Sequence, residues 1–215
     1  MAPGVRDAAT VVAAREGPEG PQVLVVRRAA GSRFLAGYFA FPGGAVEPGD
    51  ADLAERWFGT RREAARACAV RELLEETGLA LTREGMRAAD PADGIAAIHA
   101  SPPLRGQLVP ISRWVAPARI PVRFDARFFA ARAPSGIEPR AASPEVAEAR
   151  WARPGDLLEG WAAGRVLLFW PTMKVLEGLA ACPSVEEVLA ARIPRQEPAG
   201  GEEAAMPRST FTEEA

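Results

Sequence analysis

The alternation of apolar and polar positions divides the chain into short elements with abrupt ends. "AATVVAA" (8–14) and "PQVLVVRRA" (21–29) are β-branched apolar runs on either side of "REGPEGP", the signature of two strands around a turn. "GYFAFPGGAVEPGD" continues as a strand that breaks at Pro42-Gly43-Gly44, and "ADLAERWFG" (51–59) reads as a short helix or an ordered loop. The strongest helical period covers 61–77. Thr60 and Glu63 have capping-box spacing at its start, and Gly78 stands where a left-handed cap closes a helix. Beyond it, "GIAAIHA" (94–100) and "LRGQLVPISRWVAP" (104–117) read as strands, and "RFDARFFAAR" (123–132) alternates strongly enough to be a central one. A strand near 146–152 leads into a helix starting around 156, followed by helices at 171–181 and 184–192. Residues 195–215 are rich in Pro, Gly and Glu with little to bury, so a disordered tail is expected after one domain at 1–194.

Composition narrows the class. With 48% hydrophobic and 25% charged residues, 215 residues can bury a substantial core. A net charge of −2 argues against broad nucleic-acid binding, which needs a strongly basic surface. Cys68 and Cys182 have no metal-ligand spacing, and neither a signal peptide nor a membrane-length apolar run is present. The expectation is a cytoplasmic protein with no membrane partner.

The stretch "RELLEETGL" carries the chemistry. Glu72 and Glu76 are four apart on one helical face and repel, at a cost of roughly a few tenths of a kcal/mol even when exposed. At about 100° per residue, Ala67, Val70, Leu73, Leu74 and Thr77 share the apolar face. Glu72, Glu75 and Glu76 lie opposite, continued by Ala65, Cys68 and Ala69, small residues that leave room for a ligand. A solubilising surface helix would interleave Lys or Arg at i±4, but only Arg71–Glu75 does so. Mg²⁺ or Mn²⁺ takes hard oxygen ligands and turns this repulsion into attraction.

These residues resemble a known family. Glu63, seven intervening residues, then Arg71-Glu72-Leu73-x-Glu75-Glu76-x-Gly78-Leu79 are similar to the Nudix box, G-x5-E-x7-R-E-U-x-E-E-x-G-U with U aliphatic, and "FPGG" (41–44) supplies its leading loop. The resemblance implies an α/β fold: a Nudix-type α/β/α sandwich with a mixed sheet, here followed by C-terminal helices. It implies metal held by Glu72, Glu75, Glu76 and the Gly44 carbonyl. Arg71 would orient a glutamate, and its i,i+4 relation to Glu75 fits that role. Glu145 and Glu148, in "SPEVAEARW", stand where relatives carry E-x-x-E-x-x-W, which makes both candidates for a base or extra ligand outside the box. His99, the single histidine, accompanies no nucleophile motif and reads as structural. One departure stands out: the box allows five residues between its glycine and first glutamate. Asp50 falls at that count, whereas Glu63 comes after an insertion at about 51–62.

The implied reaction is hydrolysis of a nucleoside diphosphate linked to another group. "LVVRRAAGSRFLAGYFAFPGG" resembles the pattern of coenzyme A diphosphatases in this family, with Arg28, Arg33, Gly37 and Phe41-Pro42-Gly43-Gly44 in register and Val25 and Val26 replacing the expected Leu and Thr. Arginine forks suit phosphate oxygens, which fits Arg28 and Arg33 as candidate substrate contacts, and the resemblance adds Phe41. The box and "RFDARFF" together resemble the family's long-insert branch, whose members cleave coenzyme A and its acyl esters to 3′,5′-ADP and 4′-phosphopantetheines. Some members carry a peroxisomal address, unlike the closing "TEEA". ADP-ribose, NADH and dinucleoside polyphosphates remain alternative substrates. A nucleotide-sensing module without turnover is a further alternative, disfavoured because all three core glutamates are kept. Many relatives are dimers, and the five tryptophans suit a homodimer interface or a core equally.

Overall fold

The computed structural model describes residues 4–32, 35–116 and 123–194. The first strands follow the apolar runs closely. β1 (Arg6–Gly17) and β2 (Gly20–Arg28) form a tight hairpin, and β3 (Phe39–Ala40) and β4 (Gly43–Ala45) are short strands separated by Phe41-Pro42. Gly43 and Gly44 are therefore paired residues, opposite Thr10 and Ala9 of β1, and the break falls just before them. Gly43 suits that position because any Cβ there would press on the Thr10 backbone.

Three further strands complete the main sheet: β7 (Val109–Val115), β8 (Phe124–Arg132) and β9 (Val146–Ala152). Among the described residues the order is β3-β2-β1-β8-β7, with β4 also on β1 and β9 on β2. Among the described strands β1 and β8 pair in parallel and the other strand pairs are antiparallel, so the sheet is mixed. "RFDARFFAAR" lies between β1 and β7, the central position its alternation predicts. The expected strand at 104–117 begins later, after a 3-10 turn at Arg105–Gln107.

Helices cover both faces. On one side α1 (Pro48–Phe58), α2 (Ala64–Thr77) and α3 (Pro91–Ala100) enclose a core of Leu24, Leu73, Leu74, Leu79, Ile98 and Phe129. On the other, α4 (Pro154–Ala162), α5 (Trp170–Ala180) and α6 (Val185–Ala190) bury Val23, Val25, Trp114, Phe128, Leu176 and Val188. This is the expected α/β/α sandwich with C-terminal helices. No helix among the described residues is long and apolar enough to cross a membrane.

One of the expected strands needs correction. "GIAAIHA" is helical: Asp90-Pro91 begins α3, and Gly94 lets Leu74 of α2 approach so closely that a Cβ would fall 2.9 Å from Leu74 Cδ2. Helix packing thus overrides the β-branched character of Ile95 and Ile98. The hairpin of β5 (Leu79–Thr82) and β6 (Gly85–Ala88) has no counterpart in the sequence reading.

Candidate functional site

Most of the insertion is helical, continuing a helix that starts just before it. Pro48 opens α1, the Glu47 amide donates to Asp50 Oδ2 at 2.8 Å, and Gly59 closes it in the left-handed region at φ 71°. Arg61–Glu63 then form a 3-10 turn before α2. The capping-box reading at 60–63 is corrected in part. Thr60 Oγ1 accepts from the Arg62 amide, but the Glu63 carboxylate turns to Arg66 and Arg105.

Helix α2 presents three glutamates in unequal surroundings. The Glu75 side chain is 49% exposed and that of Glu72 15%, while Glu76 is buried at 6%. Glu76 Oε2 accepts from the Gly43 amide at 3.0 Å. Burial, then the charge of Glu72, pushes the Glu76 carboxyl up to about 8, against the opposing pull of the Gly43 amide and Arg28. Burial also raises Glu72, opposed by Arg71.

Arg71 supplies more counter-charge than the i±4 pattern indicates. Its Nε and Nη2 donate to Asp50 Oδ1 and Oδ2 at 2.8 and 3.0 Å, a bidentate fork. Its Nη1 donates to Glu72 Oε1 and Glu75 Oε2, both at 2.9 Å. Burial pulls the Arg71 pKa down, but the Asp50 hydrogen bond and the neighbouring carboxylates more than offset it, so the guanidinium stays charged. The small-residue face is corrected too. Ala65, Cys68 and Ala69 are buried and leave no ligand space, with the Cys68 thiol 3.6 Å from the Gly44 oxygen and 3.5 Å from that of Ala45.

The remaining candidates divide between the two faces of the sheet. Arg28 at the end of β2 lies 3.7 Å from Glu145, and both charges reach Glu76, Arg28 lowering its pKa and Glu145 raising it. The Ala142 and Arg140 amides donate to the Glu76 and Thr77 carbonyls, tying the segment before Glu145 to the end of α2. Glu148 is elsewhere: it bridges Arg27 and Arg150, which lies over Phe39 in the opposite core. Phe41 also belongs to that core. It is 3% exposed and meets Phe128 edge-on at 6.3 Å, so its side chain is packing rather than a substrate contact. Arg33 lies outside the described residues. His99 accepts from the Trp57 indole at 2.9 Å, joining α1 to α3.

The sequence profile described as "NUDIX domain" matches residues 5–170. The chain belongs to the Nudix family. A Nudix hydrolase of known structure from Alicyclobacillus acidocaldarius is 35% identical, covering 88% of this chain and 98% of its own with a TM-score of 0.74. The Caenorhabditis elegans protein named putative nudix hydrolase 7 is 25% identical over 74% of this chain, which spans 56% of that relative's length. The Nudix domain of Shewanella oneidensis NrtR, solved with ADP-ribose, shares the fold at 14% identity and a TM-score of 0.53, over 81% of this chain and 86% of its own.

Nudix hydrolases generally use divalent metal ions, and the donors here suit one. They are hard carboxylate oxygens, one of them buried in Glu76 where a cation would relieve an unfavourable charge. Gly44 faces Glu72 so closely that a Cβ would fall 2.7 Å from Glu72 Cδ and closer still to Oε1. Among the described residues no three acidic, cysteine or histidine side chains stand as a finished cage, and Arg71 is hydrogen-bonded to Glu72 and Glu75. The Nudix domain thus holds ligand chemistry fit for a hard cation, with a guanidinium competing for two of its groups.

Proposed function

We propose that the chain hydrolyses the diphosphate of a nucleoside diphosphate-linked substrate, with coenzyme A or an acyl-coenzyme A favoured. The products would be 3′,5′-ADP and 4′-phosphopantetheine, acylated or not. The observation that carries this reading is the convergence of Arg28 and Glu145 with buried Glu76 at the edge of the glutamate helix. Carboxylates alone would repel a diphosphate, and Arg28 adds a guanidinium at their border.

In this reading Glu72, Glu75, Glu76 and the Gly44 carbonyl hold Mg²⁺ or Mn²⁺. The bound ion supplies neutralisation of phosphate charge and a lowered pKa for the attacking water. Arg28 takes phosphate oxygens, releasing Glu145, whose side chain is 69% exposed and free to accept a proton from water. The resemblance of residues 24–44 to coenzyme A diphosphatases selects the substrate within the class. Residues 1–194 form the working unit, and the α1 insertion is a wall for the pantetheine or acyl arm.

A product assay tests the reading. Purified protein with Mg²⁺ or Mn²⁺ is given coenzyme A, an acyl-coenzyme A, ADP-ribose, NADH and a diadenosine polyphosphate, and the nucleotides are separated by chromatography. Release of 3′,5′-ADP faster than any other cleavage is expected. Preferred turnover of ADP-ribose or NADH would keep the glutamate helix and discard the role given to Arg28. No turnover with either ion would favour a nucleotide sensor.

A further inference from the structure

We infer that Asp50, and not Glu63, is the acid that positions the metal-binding glutamates, acting through Arg71. The inserted residues then follow this acid instead of preceding it. The inference rests on the reading of α2 as the metal helix.

Glu63 has the spacing from Arg71 that the box requires, but it is committed to Arg66 and Arg105 at the far end of α2. Asp50 is 21 residues before Arg71 and yet makes both hydrogen bonds of the fork. Its side chain is fully buried, and its Oδ2 also accepts from the Glu47 amide, so the carboxylate is fixed by its own helix start. A short aspartate suffices because α1 brings its first turn against α2. The other end of α1 is anchored by the bond between Trp57 and His99.

The consequence concerns Arg71. With Asp50 occupying Nε and Nη2, only Nη1 reaches Glu72 and Glu75, and each receives one bond. Without the Asp50 charge, the fork is free to clasp Glu72 or Glu75 with both arms and compete with a cation for those oxygens. Asp50 is thus a positioning residue, which leaves part of each glutamate available by engaging most of the arginine.

Full-length wild type, Asp50→Asn, Asp50→Glu, Glu63→Gln and the double variant Asp50→Asn/Arg71→Gln would be titrated with Mn²⁺, following free ion by electron paramagnetic resonance. Circular dichroism checks folding, and kcat and KM are measured for coenzyme A hydrolysis. Asp50→Asn should weaken Mn²⁺ binding roughly 10–100-fold, as loss of a supporting partner does at metal sites. Its kcat should fall more than its KM rises. Asp50→Glu should recover part of the loss, and Glu63→Gln should bind Mn²⁺ like wild type. Removing Arg71 as well should restore affinity relative to Asp50→Asn, a coupling that general destabilisation would not produce. If Asp50→Asn does not fold, the comparison of Asp50→Glu with Glu63→Gln decides the matter. Wild-type Mn²⁺ affinity in Asp50→Asn, or an equal loss in Glu63→Gln, overturns the inference. Wild type that binds Mn²⁺ without cleaving coenzyme A overturns the substrate reading alone. Wild type that binds no Mn²⁺ overturns both.

Discussion

Gly44 and Glu72 meet across the gap between β4 and α2 with no room for a methyl group between them. The glycine is needed for this close approach, since a side chain at 44 would push the Glu72 carboxylate out of line. Gly44→Ala should therefore lower kcat by roughly 10²-fold, the scale expected for a small misplacement of a reacting group. It should also cost about 1–3 kcal/mol of stability through overpacking. Turnover and denaturant unfolding of the same preparation check both.

Glu75 and Glu76 test the metal assignment more directly. Glu75→Gln and Glu76→Gln each keep the side-chain shape and remove the charge, so kcat should fall by about 10²-fold or more with the far-ultraviolet circular dichroism unchanged. Near-normal turnover in both variants would sink the assignment.

The raised Glu76 carboxyl makes stability depend on pH. Its value in the fold, about 8, lies above the ordinary 4.5, so between these the folded chain binds more protons than the unfolded one. Its stability contribution is fully present below pH 4.5 and lost as pH rises through about 8. Protein stripped of divalent ions should melt at lower temperature at pH 8.5 than at pH 6, at about 2–4 °C for each kcal/mol lost. Glu76→Gln should flatten that slope, and added Mn²⁺ should restore the wild-type melting temperature at the higher pH.

His99 acts with the opposite sign. Burial, then the charge of Arg56, lowers its pKa below 6.5, and the Trp57 indole needs an unprotonated Nδ1 to donate to. The stability from this group is present above pH 6.5 and lost as pH falls through its value in the fold. Trp57→Phe should cost about 1–3 kcal/mol, from lost packing and an unpaired imidazole nitrogen, and weaken the acid-side decline. Thermal melts of both proteins from pH 7 to 5 measure this.

The glutamate helix was legible because Glu72, Glu75, Glu76 and Gly78 form a local pattern, and its period is a property of one helix. Burial around it was not. Cys68 and Ala69 look like an open face on a wheel, yet β4 and α1 cover them, and no period within α2 records what packs against it. Asp50 stood at the right count after Gly44, but Glu63 had the better-known spacing. Only the folding back of α1 shows which acid reaches Arg71. Phe41 shows the same limit, since its neighbours fit a substrate-binding pattern while its ring turns toward Phe128. The β-branched positions of α3 misled because the decisive contact, Gly94 under Leu74, joins two distant segments.

The parallel pairing of β1 with β8 has a consequence for how the chain is made. The paired residues, Arg6 with Phe124 at one end, are on the order of a hundred residues apart, and such distant closures slow folding. A ribosome will have released the whole glutamate helix before β8 emerges to complete the sheet beside β1. Until then the acidic side chains lack their full scaffold, so nascent chains halted before residue 124 should expose α2 to proteases that spare the finished protein.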